Sequence, residues 1–152
     1  MVSETVTRRA FVTGGVGVLA LSAGCAALPG SRSASELGPI TVENSDGIDH
    51  RVHVAVERDT DLVYGTSVTL DAASPGDDAD YGSVDSVVLD SDAWTGATAE
   101  WTVHARVDGD ADWTHHPVPG EVPCHAVRLV VERDASVTGF TPDCSDWPPN
   151  GG

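Results

Sequence analysis

Lysine does not occur in this chain. All 8 of its basic residues are arginine, they stand against 24 acidic residues, and the formal net charge is −16. An excess of acid on that scale excludes the basic face that a phosphate backbone requires, so no nucleic-acid partner is expected. Aromatic residues make up only 5% of the 152, four of them tryptophan. Three cysteines are too few for a disulfide-dense scaffold. The longest apolar run, Ala10 to Ala23, has fourteen residues. A membrane-crossing helix needs about 20. Motifs of catalysis are missing as well: there is no Gly-x-Ser-x-Gly elbow, no His-Glu-x-x-His and no phosphate-binding glycine loop. Asp, His and Ser are so abundant that a triad could be drawn many ways. No catalytic residue is therefore nominated, and a non-enzymatic protein is expected.

The most informative stretch is Thr7 to Cys25, TRRAFVTGGVGVLALSAGC. Arg8 and Arg9 follow a threonine, and Phe11 and Val12 come two and three residues after the pair. The apolar run that follows has the length of a signal-peptide core, and Gly14, Gly15 and Gly17 keep it only mildly hydrophobic. This segment resembles a twin-arginine export signal. Its end, Leu21-Ser22-Ala23-Gly24-Cys25, resembles a lipobox, with Leu21 four residues before the cysteine where the usual pattern has leucine three before. The resemblance implies a signal peptide over residues 1–24 and a lipid on Cys25. A two-chain lipid anchors stably where a single chain does not. The implied location is the extracytoplasmic face of the cell membrane, with the membrane itself as a partner.

Cleavage before Cys25 would remove Glu4, Arg8 and Arg9. It would leave 23 acids against 6 arginines, a net charge of −17 over 128 residues. Such charge repels itself in dilute buffer. At molar salt the Debye length shrinks to about 3 Å and the repulsion is screened. The lack of lysine and the preference for Asp over Glu, 17 to 7, resemble the proteins of salt-accumulating haloarchaea.

Residues 25–39 are rich in Ser, Ala, Gly and Pro and read as a flexible tether, spanning roughly 20 Å r.m.s.. From Ile40 the pattern changes to period two. Val52, Val54 and Val56 alternate with His53, Ala55 and Glu57. Trp101, Val103, Ala105 and Val107 alternate with Thr102, His104 and Arg106. Each set predicts a half-buried strand with its valines inward and its histidine outward. Asp108-Gly109-Asp110 predicts a hairpin turn after the second. Val127, Leu129 and Val131 mark another strand, with Val137 to Phe140 returning against it. Val56-Glu57-Arg58-Asp59 recurs as Val131-Glu132-Arg133-Asp134, which reads as two hairpins drawn from one biased alphabet. No helical periodicity follows Ala23. Seven or eight short strands in about 100 residues predict one all-β domain over 40–141, an antiparallel β-sandwich of immunoglobulin-like type. Residues 142–152 form a Pro/Gly-rich tail.

Cys124 and Cys144 remain as an even pair in an exported domain, which predicts a disulfide pinning the tail to the last long strand. The competing use of Cys124 is as a metal ligand with His115, His116 and His125, in an extracytoplasmic metal or redox carrier. Against it, neighbouring residues on a strand face opposite ways. The spacing also departs from that of blue-copper proteins, and the only methionine is Met1. Two aspartate clusters, Asp108-Asp110-Asp112 and Asp77-Asp78-Asp80, are weighed for calcium, but the first lacks the EF-hand glycine and glutamate. No metal and no cofactor is therefore expected. Trp101 is assigned to the core. Trp94, Trp113 and Trp147 are core residues or, where exposed, contacts for a surface protein or small ligand. The expected function is a lipid-anchored, non-enzymatic binding or structural module on the surface of a halophile.

Overall fold

The structure, a computed structural model, describes residues 33–75 and 83–147. Nine strands run through them: β1 (Ser35–Asn44), β2 (His50–Arg58), β3 (Asp61–Leu70), β4 (Asp85–Leu89), β5 (Thr98–Ala99), β6 (Trp101–Val107), β7 (Thr114–Pro117), β8 (Cys124–Val131) and β9 (Val137–Phe140). A single 3-10 turn follows at Cys144–Asp146. No helix among the described residues is long and apolar enough to cross a membrane.

The strands form two packed sheets. One has the order β4-β1-β8-β9, with β5 beside the start of β1, and the other the order β3-β2-β6-β7. This is the β-sandwich that the alternation predicts. Every pairing is antiparallel except β1 with β8, which run parallel from Glu36↔Cys124 to Asn44↔Val131. Sandwiched between neighbours, β8 is buried at six of its eight positions, the near-continuous pattern of a central strand.

The sandwich begins earlier than the composition suggests. Ser35 to Pro39, assigned from sequence to the tether, form the first half of β1. Ser35 pairs with Ala99 and Leu37 with His125, and the buried Trp101 indole donates to the Ser35 carbonyl at 2.9 Å. The register shifts between Leu37 and Ile40. Gly38 and Pro39 occupy that bulge, where a missing N–H costs no ladder bond.

Alternation works out in the core as it reads in the chain. Val52, Val54 and Val56 from β2 and Trp101, Val103 and Ala105 from β6 are at most 1% exposed, packed against Ile40, Val42, Val127 and Leu129 of the other sheet. Trp94 is fully buried in the loop before β5, with its ring edge-on to Tyr64 at 4.9 Å. Of its two alternatives, core or contact residue, it takes the core. Asn44 plugs the end of β1: its amide donates to the carbonyls of Ile48 and Asp71, and its oxygen accepts from the Asp46 amide.

Candidate functional site

Because the valines of β2 and β6 face inward, their polar partners are delivered together to the outer face of one sheet. The register sets them in rows. Ser67, His53 and Arg106 form one row across β3, β2 and β6. Gly65, Ala55, His104 and His115 form the next, extending onto β7. Glu57 and Thr102 begin the third. Three of the chain's six histidines thus share this face, beside two small residues that leave it shallow.

Two groups of close contacts organise it. In the first, His53 places Nδ1 2.7 Å from Ser67 Oγ and Nε2 3.0 Å from Asp108 Oδ1. The residue types are those of a hydrolase triad, but the environment differs. In that triad the carboxylate is buried, whereas the Asp108 side chain is 63% exposed and its field on the ring is screened by water. The His53 hydrogen bond is the main cause of an Asp108 pKa below the ordinary aspartate value. The arrangement tethers the β6–β7 turn to β2 and β3.

In the second, His104 and His115 face each other with Nδ1 to Nδ1 at 2.6 Å, ring planes 84° apart. On its far side His104 Nε2 lies 3.4 Å from Glu57 Oε2. Burial lowers the His104 pKa, the neighbouring His115 charge lowers it further, and Glu57 opposes both. The balance favours the neutral form of the His104 imidazole. At the edge of this face the Arg106 guanidinium stacks on the half-buried Trp113 ring, 5.0 Å from its centroid.

Residues singled out from sequence fall in several places. Arg8, Arg9 and Cys25 lie outside the described residues, as do Asp77, Asp78 and Asp80. Cys124 and Cys144 are joined by a disulfide. That bond occupies the Cys124 sulfur, so in this form it is not the thiolate ligand that the metal reading requires. His125 points into the protein, its Nδ1 at 3.1 Å from the Thr141 carbonyl. His115 and His116 diverge as strand neighbours must. His116 lies against the Gly139 backbone of the other sheet, with its pKa lowered mainly by burial. Among the described residues no three His, Cys, Asp or Glu side chains are grouped to hold one ion, Asp108-Asp110-Asp112 included.

The sequence did not single out the His104–His115 pair, although the signal was present. A turn centred on Gly109-Asp110 places residues equidistant from it opposite each other, and 104 and 115 are such a pair.

On the other sheet, Phe140, Pro142 and Trp147 line a hollow of about 560 Å³ with Arg128 and Asp146. Arg128 is held there by a two-pronged contact to Glu43, Nε to Oε1 at 2.8 Å and Nη2 to Oε2 at 2.6 Å. The disulfide fixes the turn that carries Trp147.

No protein-family model matches the chain, and no curated protein matches it. Among solved structures it is similar to one described as the NMR structure of the protein from Eubacterium rectale. The two are 18% identical with a TM-score of 0.39, over 73% of this chain and 90% of that one.

Proposed function

We propose that this chain is a lipid-anchored binding module on the outer surface of a halophile's membrane, without catalysis of its own. The observation that carries the reading is the Cys124–Cys144 disulfide at the edge of an aromatic hollow. Disulfides persist in oxidising, extracytoplasmic compartments. This one rigidifies a surface where Phe140 is half exposed and Trp147 partly so. Flat aromatic rings around a fixed hollow suit a surface-protein or small-molecule ligand. β1 begins at Ser35, ten positions after Cys25 in the chain, so an anchor there would hold the sandwich close to the membrane.

The test is fractionation of cells expressing the native chain and Cys25→Ser. The native protein is expected in the membrane fraction at mature size. The variant is expected in the medium, or unprocessed at full length. A variant with the membrane fractionation and mature size of the native protein would overturn the anchor and, with it, the assignment of the surface.

A further inference from the structure

We propose that His104 and His115 form a chelate for one divalent transition-metal ion, copper(II) foremost, on the outer face of the β3-β2-β6-β7 sheet, with Glu57 as the outer carboxylate that orients His104. The assignment differs from any site built on Cys124, and it does not depend on the membrane anchor.

The first argument is the pairing geometry. The Val118 amide donates to the Trp101 carbonyl, so 101 and 118 are a hydrogen-bonded pair. Pair types alternate along an antiparallel ladder. The pairs 102–117 and 104–115 are therefore of the non-hydrogen-bonded kind, in which side chains approach most closely. Pro117 fits that assignment, since it has no N–H to give to the ladder. His104 and His115 thus stand opposite each other at the one kind of site where two imidazoles meet without bending the backbone.

The second argument is the tautomer. Glu57 Oε2 lies 3.4 Å from His104 Nε2, an ion-pair distance, and its negative charge favours the tautomer with the proton on that nitrogen. With the proton on Nε2, His104 Nδ1 carries a lone pair and points at His115. At 2.6 Å only one proton fits between the two Nδ1 atoms. A metal-binding histidine characteristically donates its second ring N–H to a carboxylate, which fixes the ring and raises its basicity. Glu57 is placed to do this, which also explains why no third side chain converges on the same point.

The third argument is fit. Nitrogen ligands about 2.0 Å from a metal and at right angles to each other lie about 2.8 Å apart. The pair has to open by a few tenths of an ångström and the rings have to turn so that both lone pairs converge on the ion, and the exposed His115 ring is free to turn. Two imidazoles select borderline transition metals over calcium or magnesium, and copper(II) binds such a site more tightly than its first-row neighbours. The remaining positions on the ion face solvent and take water or a ligand. The strongly negative chain adds a long-range attraction for any cation.

The experiment is a copper(II) titration of the full, untagged chain in molar salt, followed by calorimetry and by electron paramagnetic resonance. One equivalent is expected to bind, with a spectrum split by two nitrogen ligands. His104→Ala and His115→Ala should each weaken that binding by at least about tenfold, and Glu57→Gln should weaken it by about tenfold with the stoichiometry kept. His53→Ala, on the same face but outside the pair, should leave it unchanged. The His115 ring is exposed and the His104 side chain is 16% exposed, and a cooperative melting transition verifies that each variant is folded. Failure of the native chain to bind one equivalent would overturn the proposal. So would survival of the two-nitrogen signal in His104→Ala/His115→Ala.

Discussion

Ala135 holds φ at +63°, a left-handed conformation that an alanine Cβ disfavours. Its counterpart in the first hairpin is Asp59 at +58°, and aspartate tolerates that region because its side chain can bond locally. The tetrapeptide Val-Glu-Arg-Asp enters both turns, yet the turns differ. Arg58 pairs with Asp61 across a two-residue loop, whereas Val131 pairs with Val137 across five. The strained position therefore falls on the aspartate in one and one residue later in the other. Ala135→Gly removes the Cβ where it is costly, and a gain of about 1 kcal/mol is expected. Urea denaturation in molar salt checks it: the midpoint should rise with the slope unchanged. A fall would mean that lost entropy in the unfolded chain outweighs the relieved strain.

At the scale of elements, the disulfide joins the start of β8 to the 3-10 turn, across a sequence separation of 20. Closing a loop of that size constrains the unfolded chain by about 3 kcal/mol. Cys124→Ser/Cys144→Ser should therefore lower the unfolding free energy by about that much, measured by urea denaturation against the oxidised native chain. Reducing the native protein should reproduce the loss. The bond also explains Gly38, since a Cβ there would sit 2.7 Å from Cys144 Sγ. This contact shows where the sequence is legible and where it is not. Alternation in β2 and β6 identifies strands and inward faces because each spans one unbroken period-two run, while β8, buried on both sides, shows it only through Val127, Leu129 and Val131. Ser35 to Pro39 carries no such run. Its strand character comes from partners far along the chain, Ala99, Cys124 and the Trp101 indole, so its composition reads as a tether. The parallel pairing of β1 with β8 is equally non-local. The His104–His115 contact lies between these cases: each residue's face follows from its own strand, but their meeting depends on the turn register.

Across the whole molecule, salt and acid act on different charges. Most of the 24 acidic residues repel one another, and that repulsion reaches about 30 Å at 0.01 M salt and about 3 Å at 1 M. The thermal midpoint should fall steadily as molar salt is diluted, and a midpoint flat down to dilute buffer would remove the halophile reading. A few carboxylates are instead bonded in the fold. The His50 ring lowers the Asp46 pKa, the His53 ring that of Asp108, the Ser136 hydroxyl that of Asp134, and the Ser145 backbone N–H that of Asp143. A group whose pKa is lower folded than unfolded adds stability above its unfolded value, about 3.9 for aspartate, and loses it as pH falls through the folded value. In molar salt, with repulsion screened, the midpoint should begin to fall below about pH 6.5, where the unfolded chain protonates His104 and His116 more readily than the fold does, and fall further below about 4 as the bonded aspartates protonate. In dilute buffer the sign is contested, because protonating the unbonded acids also relieves repulsion. The acid fall should then be smaller, or preceded by a rise. Melting curves over a grid of pH and salt separate the two effects. If the acid fall is equally steep at both ionic strengths, unscreened repulsion contributes little to the stability of this chain.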